Sequence, residues 1–248
     1  PSATLQDFGI VGGKLALVYL EKAQSRLELR ALDGKLDKQV ALPGLGTVSG
    51  LIGDQDDAEA FYMFESFTTP PEVHALDLNS GKATLYSRVN VKIDADKLTT
   101  EQVEYKSKDG TVVTMFIVRS KDAKKDGENR VILYGYGGFQ VNETPAFYST
   151  VYPWLERGGI FAVPNLRGGG EYGEAWHKDG MLLKKQNVFD DFIAASKFLI
   201  KEGWTKPEKL VISGASNGGL LVGAAMTQAP ELYAGVMCGV PLLDMVRY

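Results

Sequence analysis

Gly214-Ala215-Ser216-Asn217-Gly218 is a G-x-S-x-G element, the pattern of a serine raised on a sharp strand-to-helix turn. Its context gives the pattern meaning. The apolar strand Leu210-Val211-Ile212-Ser213 runs into it, and a helix from about Asn217 to just before Pro230 leaves it. Such a turn crowds its flanks, so glycine is wanted on both sides. It lifts the Ser216 hydroxyl to the carboxyl edge of a sheet, with the Asn217 backbone N–H aimed where an acyl oxyanion forms. The chemistry is acyl transfer through a serine nucleophile. The bland alternative is a glycine-rich turn with an incidental serine.

A second segment reaches the same edge. After the short strand Val131-Ile132-Leu133-Tyr134 comes Gly135-Tyr136-Gly137-Gly138-Phe139, where hydrolases of this architecture place their second oxyanion donor. A phenol suits that task, so the Tyr136 hydroxyl is one reading; a glycine turn with packing aromatics is the other. Gly168-Gly169-Gly170-Glu171-Tyr172-Gly173 formally fits a dinucleotide fingerprint, with Asp190 about 20 residues on. It is rejected because Trp176 to Gly180 reads as loop and the next helix waits until Asn187, an N-cap with Asp190 and Asp191 in the first turn.

No base accompanies the serine. Hydrolases of this fold place an acid and then a histidine after the nucleophile, whereas His74 and His177 both precede Ser216. His74, on a strand, reads as a surface or satisfied-core residue, and His177 is a weak candidate base. Asp244 reads as a cap or ion-pair partner, and Cys238, mid-strand, as core packing. The chain begins at Pro1 rather than Met and offers a nucleophile without its activating base. The expectation is a piece of a longer polypeptide, cut at both ends and inactive alone.

The elements fall into two textures. Over the first ninety or so residues, Leu15 to Leu20 and Arg26 to Arg30 are echoed by Ala60 to Phe64 and Glu72 to Leu78. The offset of roughly 46 residues is that of a four-stranded propeller blade, with a plain β-sandwich as the alternative. From Asp96 the pattern changes. A hairpin turns at Lys108-Asp109-Gly110, and strands then alternate with helices as in a parallel sheet covered on both faces.

Composition narrows the class. Hydrophobic residues make up 44% and charged residues 23%, ordinary globular usage. Lys+Arg 27 against Asp+Glu 31 gives a net charge of -4, with no surplus to hold a nucleic-acid backbone. No apolar run approaches the ~18 residues of a membrane span, and no signal-peptide pattern opens the chain. One cysteine excludes an internal disulfide, and one Cys with two His makes no standard zinc site. No metal or cofactor is expected.

Ile132 to Phe139, Leu166 to His177, Lys185 to Phe192 and Ser216 to Gly219, in that order, closely resemble the prolyl oligopeptidase family of serine peptidases. The resemblance implies an α/β fold, the N-terminal half of an α/β-hydrolase domain (residues 96–248, incomplete at its C-terminus) preceded by the last blades of a β-propeller (residues 1–95). It implies cleavage of short peptides on the carboxyl side of proline through an acyl-enzyme. Ser216 matches the nucleophile, Tyr136 the oxyanion tyrosine, and Asn217 the residue whose backbone N–H completes the hole. Phe139 and Leu242 fall on positions lining the proline pocket, while the family's catalytic Asp and His lie beyond Tyr248. Ala215 stands where many members have Gly. The expected partners are short proline-containing peptides and the remainder of the same polypeptide, in a cytoplasmic monomer, with a periplasmic or secreted location as alternatives. The other readings are an oligopeptidase or acylaminoacyl peptidase of the same superfamily, and a non-catalytic propeller binding module.

Overall fold

The computed structural model describes residues 3–92 and 94–247. It divides into two compact units, Pro1–Ala95 with Thr144–Tyr148, and Asp96–Glu143 with Ser149–Tyr248.

The first unit holds two four-stranded antiparallel meanders. One runs through β1 (Ala3–Val11), β2 (Lys14–Glu21), β3 (Gln24–Arg30) and β4 (Leu36–Val40); the other through β5 (Thr47–Gly53), β6 (Glu59–Glu65), β7 (Glu72–Asp77) and β8 (Ala83–Arg88). Alternation dictates which side faces inward. Ala16, Val18 and Leu20 of β2 are buried, as are Ala60, Tyr62 and Phe64 of β6, and the two sheets share one apolar cluster. His74 on β7 is a satisfied core residue, with Nε2 3.1 Å from Glu72 Oε2 and its ring stacked on Tyr62. The units part at Ala95 and Asp96, and the segment Thr144–Tyr148 returns to the first of them. The Thr47 hydroxyl donates to the Pro145 carbonyl at 2.7 Å, and the Phe147 N–H donates to Glu65 at 2.9 Å.

The second unit is built on a six-stranded sheet. In chain order its elements are β9 (Leu98–Lys106), β10 (Val112–Ser120), β11 (Val131–Tyr134), α1 (Tyr152–Glu156), β12 (Ile160–Pro164), α2 (Glu174–Lys178), α3 (Gln186–Lys201), β13 (Leu210–Ala215), α4 (Asn217–Gln228) and β14 (Gly235–Gly239). Across the sheet the order is β14-β13-β11-β12-β10-β9. β9 and β10 form the expected hairpin, β10 runs antiparallel to β12, and β12, β11, β13 and β14 are mutually parallel. The parallel strands read as continuous apolar runs because helices cover them. Val131, Leu133, Ile160, Ala162, Leu210 and Ile212 are fully buried against Val188, Phe192, Ala195 and Leu199 of α3 and Leu221, Val222 and Ala225 of α4.

Three expectations shift here. Asn187 is not the N-cap: Lys185 is, two residues earlier, so Asp190 and Asp191 fall beyond the first turn, and the Asn187 amide donates back to the Asp179 carbonyl at 2.9 Å. A short helix, α2, does open after Gly173, at five residues too brief to show a hydrophobic period. Cys238, expected in the core, is exposed on β14, the last strand of the described sheet. Among the described residues, no helix is long and apolar enough to cross a membrane.

Candidate active site

β11 and β13 lie side by side and parallel, with Tyr134 opposite Ser213. Register alone therefore carries Tyr136, two residues on, and Ser216, three residues on, to the same carboxyl edge. Ser216 is the junction between β13 and α4, at φ 58° and ψ -117°. Such a conformation is costly for an L-residue and persists only where its surroundings impose it. The Ser216 N–H donates to the Gly239 carbonyl at 3.0 Å, while its carbonyl accepts from Leu220 at 3.1 Å and Leu242 at 3.4 Å. The glycines on either side are required by close approach: a Cβ on Gly214 would run into the Gly218 carbonyl, and one on Gly218 would lie 2.5 Å from the Gly135 carbonyl oxygen. As the first residue of α4, Asn217 contributes an N–H that a helix start leaves without an intrahelical acceptor.

The loop after β11 is fastened to this elbow by side chains. The Asn217 Nδ2 donates to the Tyr136 carbonyl at 2.6 Å. The Lys185 ammonium, just ahead of α3, donates to the Gly137 carbonyl at 2.8 Å and to Asn217 Oδ1 at 3.0 Å. Burial pushes Lys185 down to about 8. Sequence reasoning assigned Lys185 no role. Its signal was available, since Lys185 sits one turn ahead of Val188 on the stripe that continues through Phe192, Ala195 and Leu199.

The other candidates separate. Leu242, half-buried, meets Ser216 through its backbone N–H. Phe139 stands on the far side of the Gly137-Gly138 turn, 64% exposed and at φ 55°. His177 lies 2.7 Å, through Nδ1, from the Gly168 carbonyl, and no hydrogen bond joins it to Ser216 among the described residues. Asp244 pairs with Arg247 at 3.6 Å on the surface. The glycines of residues 168–170 are packed against this chain's own atoms, with Gly168 against Gly137, Gly169 against Glu171 and Gly170 against Asn142 and Gln140. A pyrophosphate has no room there, which rules out a dinucleotide even though α2 follows Gly173.

A family model described as prolyl oligopeptidase, N-terminal beta-propeller domain, matches residues 2–89, and one described as prolyl oligopeptidase family matches residues 145–248. The prolyl endopeptidase of Elizabethkingia miricola is 45% identical over 96% of this chain. The chain belongs to the prolyl oligopeptidase family. The match takes in 34% of the Elizabethkingia protein, so the chain spans about a third of that relative's length. Among solved structures, one from a comparison of two prolyl endopeptidases and their inter-domain dynamics superposes with a TM-score of 0.94 at 54% identity, covering 100% of this chain and 36% of that one. Prolyl oligopeptidase B from Galerina marginata, bound to a 35mer hydrolysis and macrocyclization substrate, gives 0.93 at 35% identity, covering 100% and 35%. Membership in a serine peptidase family also makes the two meanders propeller blades rather than halves of a sandwich.

In this prolyl oligopeptidase chain, buried charges support the loops around the elbow. Arg167 grips Asp191 with Nη2 at 2.6 Å from Oδ1 and Nε at 3.0 Å from Oδ2, and the Arg167 N–H adds a third bond at 3.1 Å. Asp191 is fully buried and Arg167 nearly so. The two bidentate contacts identify an ion pair, with the guanidinium held charged by Asp191 and Asp109 against the cost of burial. The next residue, Gly168, accepts the Gln140 N–H at 3.1 Å, so the pair steadies the end of the Tyr136 loop.

Two buried carboxyls lie beyond it. Glu171 Oε1 accepts the Glu143 N–H at 2.8 Å, and Glu171 Oε2 has no hydrogen-bond partner among the described residues. Burial pushes both up to about 7, Glu143 with help from the neighbouring Glu171. A folded value above the ordinary 4.5 means that folding retains protons. Their contribution is complete below about 4.5 and is lost as pH rises through about 7. Urea midpoints at pH 5 and pH 8 should therefore differ more for the native protein than for Glu171→Gln; equal differences would contradict the assignment.

Proposed function

We propose that the protein is a serine endopeptidase that hydrolyses short peptides on the carboxyl side of proline. Ser216 Oγ attacks the carbonyl carbon of the proline residue, and its proton passes to a histidine supplied, with an aspartate partner, by polypeptide beyond Tyr248. The carbonyl oxygen gains negative charge and is received by the Tyr136 hydroxyl and the Asn217 N–H. The C–N bond then breaks, the leaving amine takes the proton, and water hydrolyses the acyl-enzyme by the same steps. Phe139 and Leu242 line the pocket for the proline ring. The observation that carries this reading is Ser216, held at φ 58° on a strand-to-helix junction whose adjoining loop presents Tyr136.

A donor aimed at charge that develops only during attack raises kcat and leaves KM alone. In the complete protein, Tyr136→Phe keeps the ring and removes the hydroxyl. Its kcat on a Gly-Pro anilide should fall about 10²–10³-fold with KM little changed. An unchanged kcat would reduce Tyr136 to packing. Chromogenic Pro, Arg and acyl-Ala substrates test the specificity: turnover confined to Pro supports the proposal, and preference for either of the others transfers the chain to the related oligopeptidases.

A further inference from the structure

Lys185 is a half-buried cation with no carboxylate partner among the described residues. Its ammonium is bound by two neutral oxygens, the Gly137 carbonyl at 2.8 Å and Asn217 Oδ1 at 3.0 Å. Those acceptors belong to the two segments that present the oxyanion donors. Gly137 follows Tyr136 directly, and the Asn217 side chain, oriented by Lys185 through its oxygen, donates through its nitrogen to the Tyr136 carbonyl at 2.6 Å. Lys185, Asn217 and residues 136–137 thus close a ring of hydrogen bonds. The buried amide is fully oriented: Lys185 requires its oxygen on one side, so its NH2 must face the loop.

We propose that Lys185 is a positioning residue that holds the Tyr136 hydroxyl and the Asn217 N–H in register with each other for the acyl-transfer transition state. This rests on the reading of Ser216, Tyr136 and Asn217 given above. Without the ammonium, Asn217 Oδ1 and the Gly137 carbonyl lose a charge-assisted bond each, and the loop is free to shift against α4. A misplacement near 1 Å at reacting groups costs about 10² in rate. Such a shift harms the transition state and leaves ground-state binding of the substrate nearly intact.

Burial also makes the bridge titratable near physiological pH, because Lys185 is pushed down to about 8. The ionisable groups on the surrounding elements are otherwise engaged or distant in role. Asp179 is taken up by Lys184 at 2.6 Å, Asp190 by Gln186 at 3.0 Å, and Asp191 by Arg167. His177 meets Gly168, Tyr136 lies on the loop being held, and α4 carries no ionisable side chain. The ammonium form is the bridging form, so kcat should decline as pH rises through about 8.

The test measures kcat and KM on a Gly-Pro anilide from pH 6 to 10 for the complete native protein, Lys185→Met, Lys185→Gln and Ser216→Ala. We expect Lys185→Met to lose about 10² in kcat with KM within about twofold. The decline above pH 8 should vanish in it. If Lys185→Met does not fold, Lys185→Gln carries the same readouts. Unchanged kcat, a loss confined to KM, or an alkaline decline shared by native and variant proteins would each overturn the proposal. Failure of the underlying reading looks different: native protein that does not turn over the anilide, or turnover that survives Ser216→Ala.

Discussion

Replacing Ser216 by alanine in the complete protein should remove about 10⁶ of kcat while the protein stays folded. The size follows from what is lost. Without the hydroxyl no acyl-enzyme forms, and the oxyanion donors and substrate contacts retain only a residual advantage of about 10³–10⁴ over water. Stability should barely move, because alanine and serine carry the same Cβ into the φ 58° conformation. Glycine has none, so Ser216→Gly should be equally inactive yet more stable than Ser216→Ala by about 1–2 kcal/mol, the strain stored at the elbow. Steady-state kinetics and urea unfolding of the three proteins check both halves. Near-normal turnover in Ser216→Ala would remove the nucleophile from the account.

Arg167→Met carries the largest expected effect on stability. Asp191 would remain fully buried with its charge partner gone, and breaking a buried pair from one side typically costs about 3–5 kcal/mol. Asp109, the third member of the cluster, is half-exposed and can turn to water. Replacing both partners by apolar residues is a different perturbation. Arg167→Met with Asp191→Leu should recover most of the loss, because no unpaired charge is left inside. Kinetics should follow, since Gly168 holds the loop end at Gln140. A single-variant loss under about 1 kcal/mol, measured by urea unfolding, would contradict a charged pair.

The elbow was legible because three local rules agree there: the apolar run at residues 210–212, glycines where backbones touch, and a helix opening immediately after the serine. The polar strands were not. Ala83–Arg88 has a largely exposed surface and no alternation, and its place is set by pairing with β7. The start of α3 was misread by two residues because an asparagine side chain that caps locally and one that reaches another turn look alike in sequence. Asp191 was misread and Lys185 passed over for a different reason. Each lies on the apolar stripe of α3 or its extension, and a charge on a buried stripe signals a partner elsewhere in the chain. Arg167 and the Asn217 amide are those partners.

The most direct test of the central claim is covalent. The complete protein would be treated with a fluorophosphonate, digested, and the modified peptide sequenced by mass spectrometry. An activated serine labels and an ordinary surface serine does not, so the account predicts one adduct, on Ser216, abolished by Ser216→Ala. No adduct, or an adduct on another residue, would contradict it.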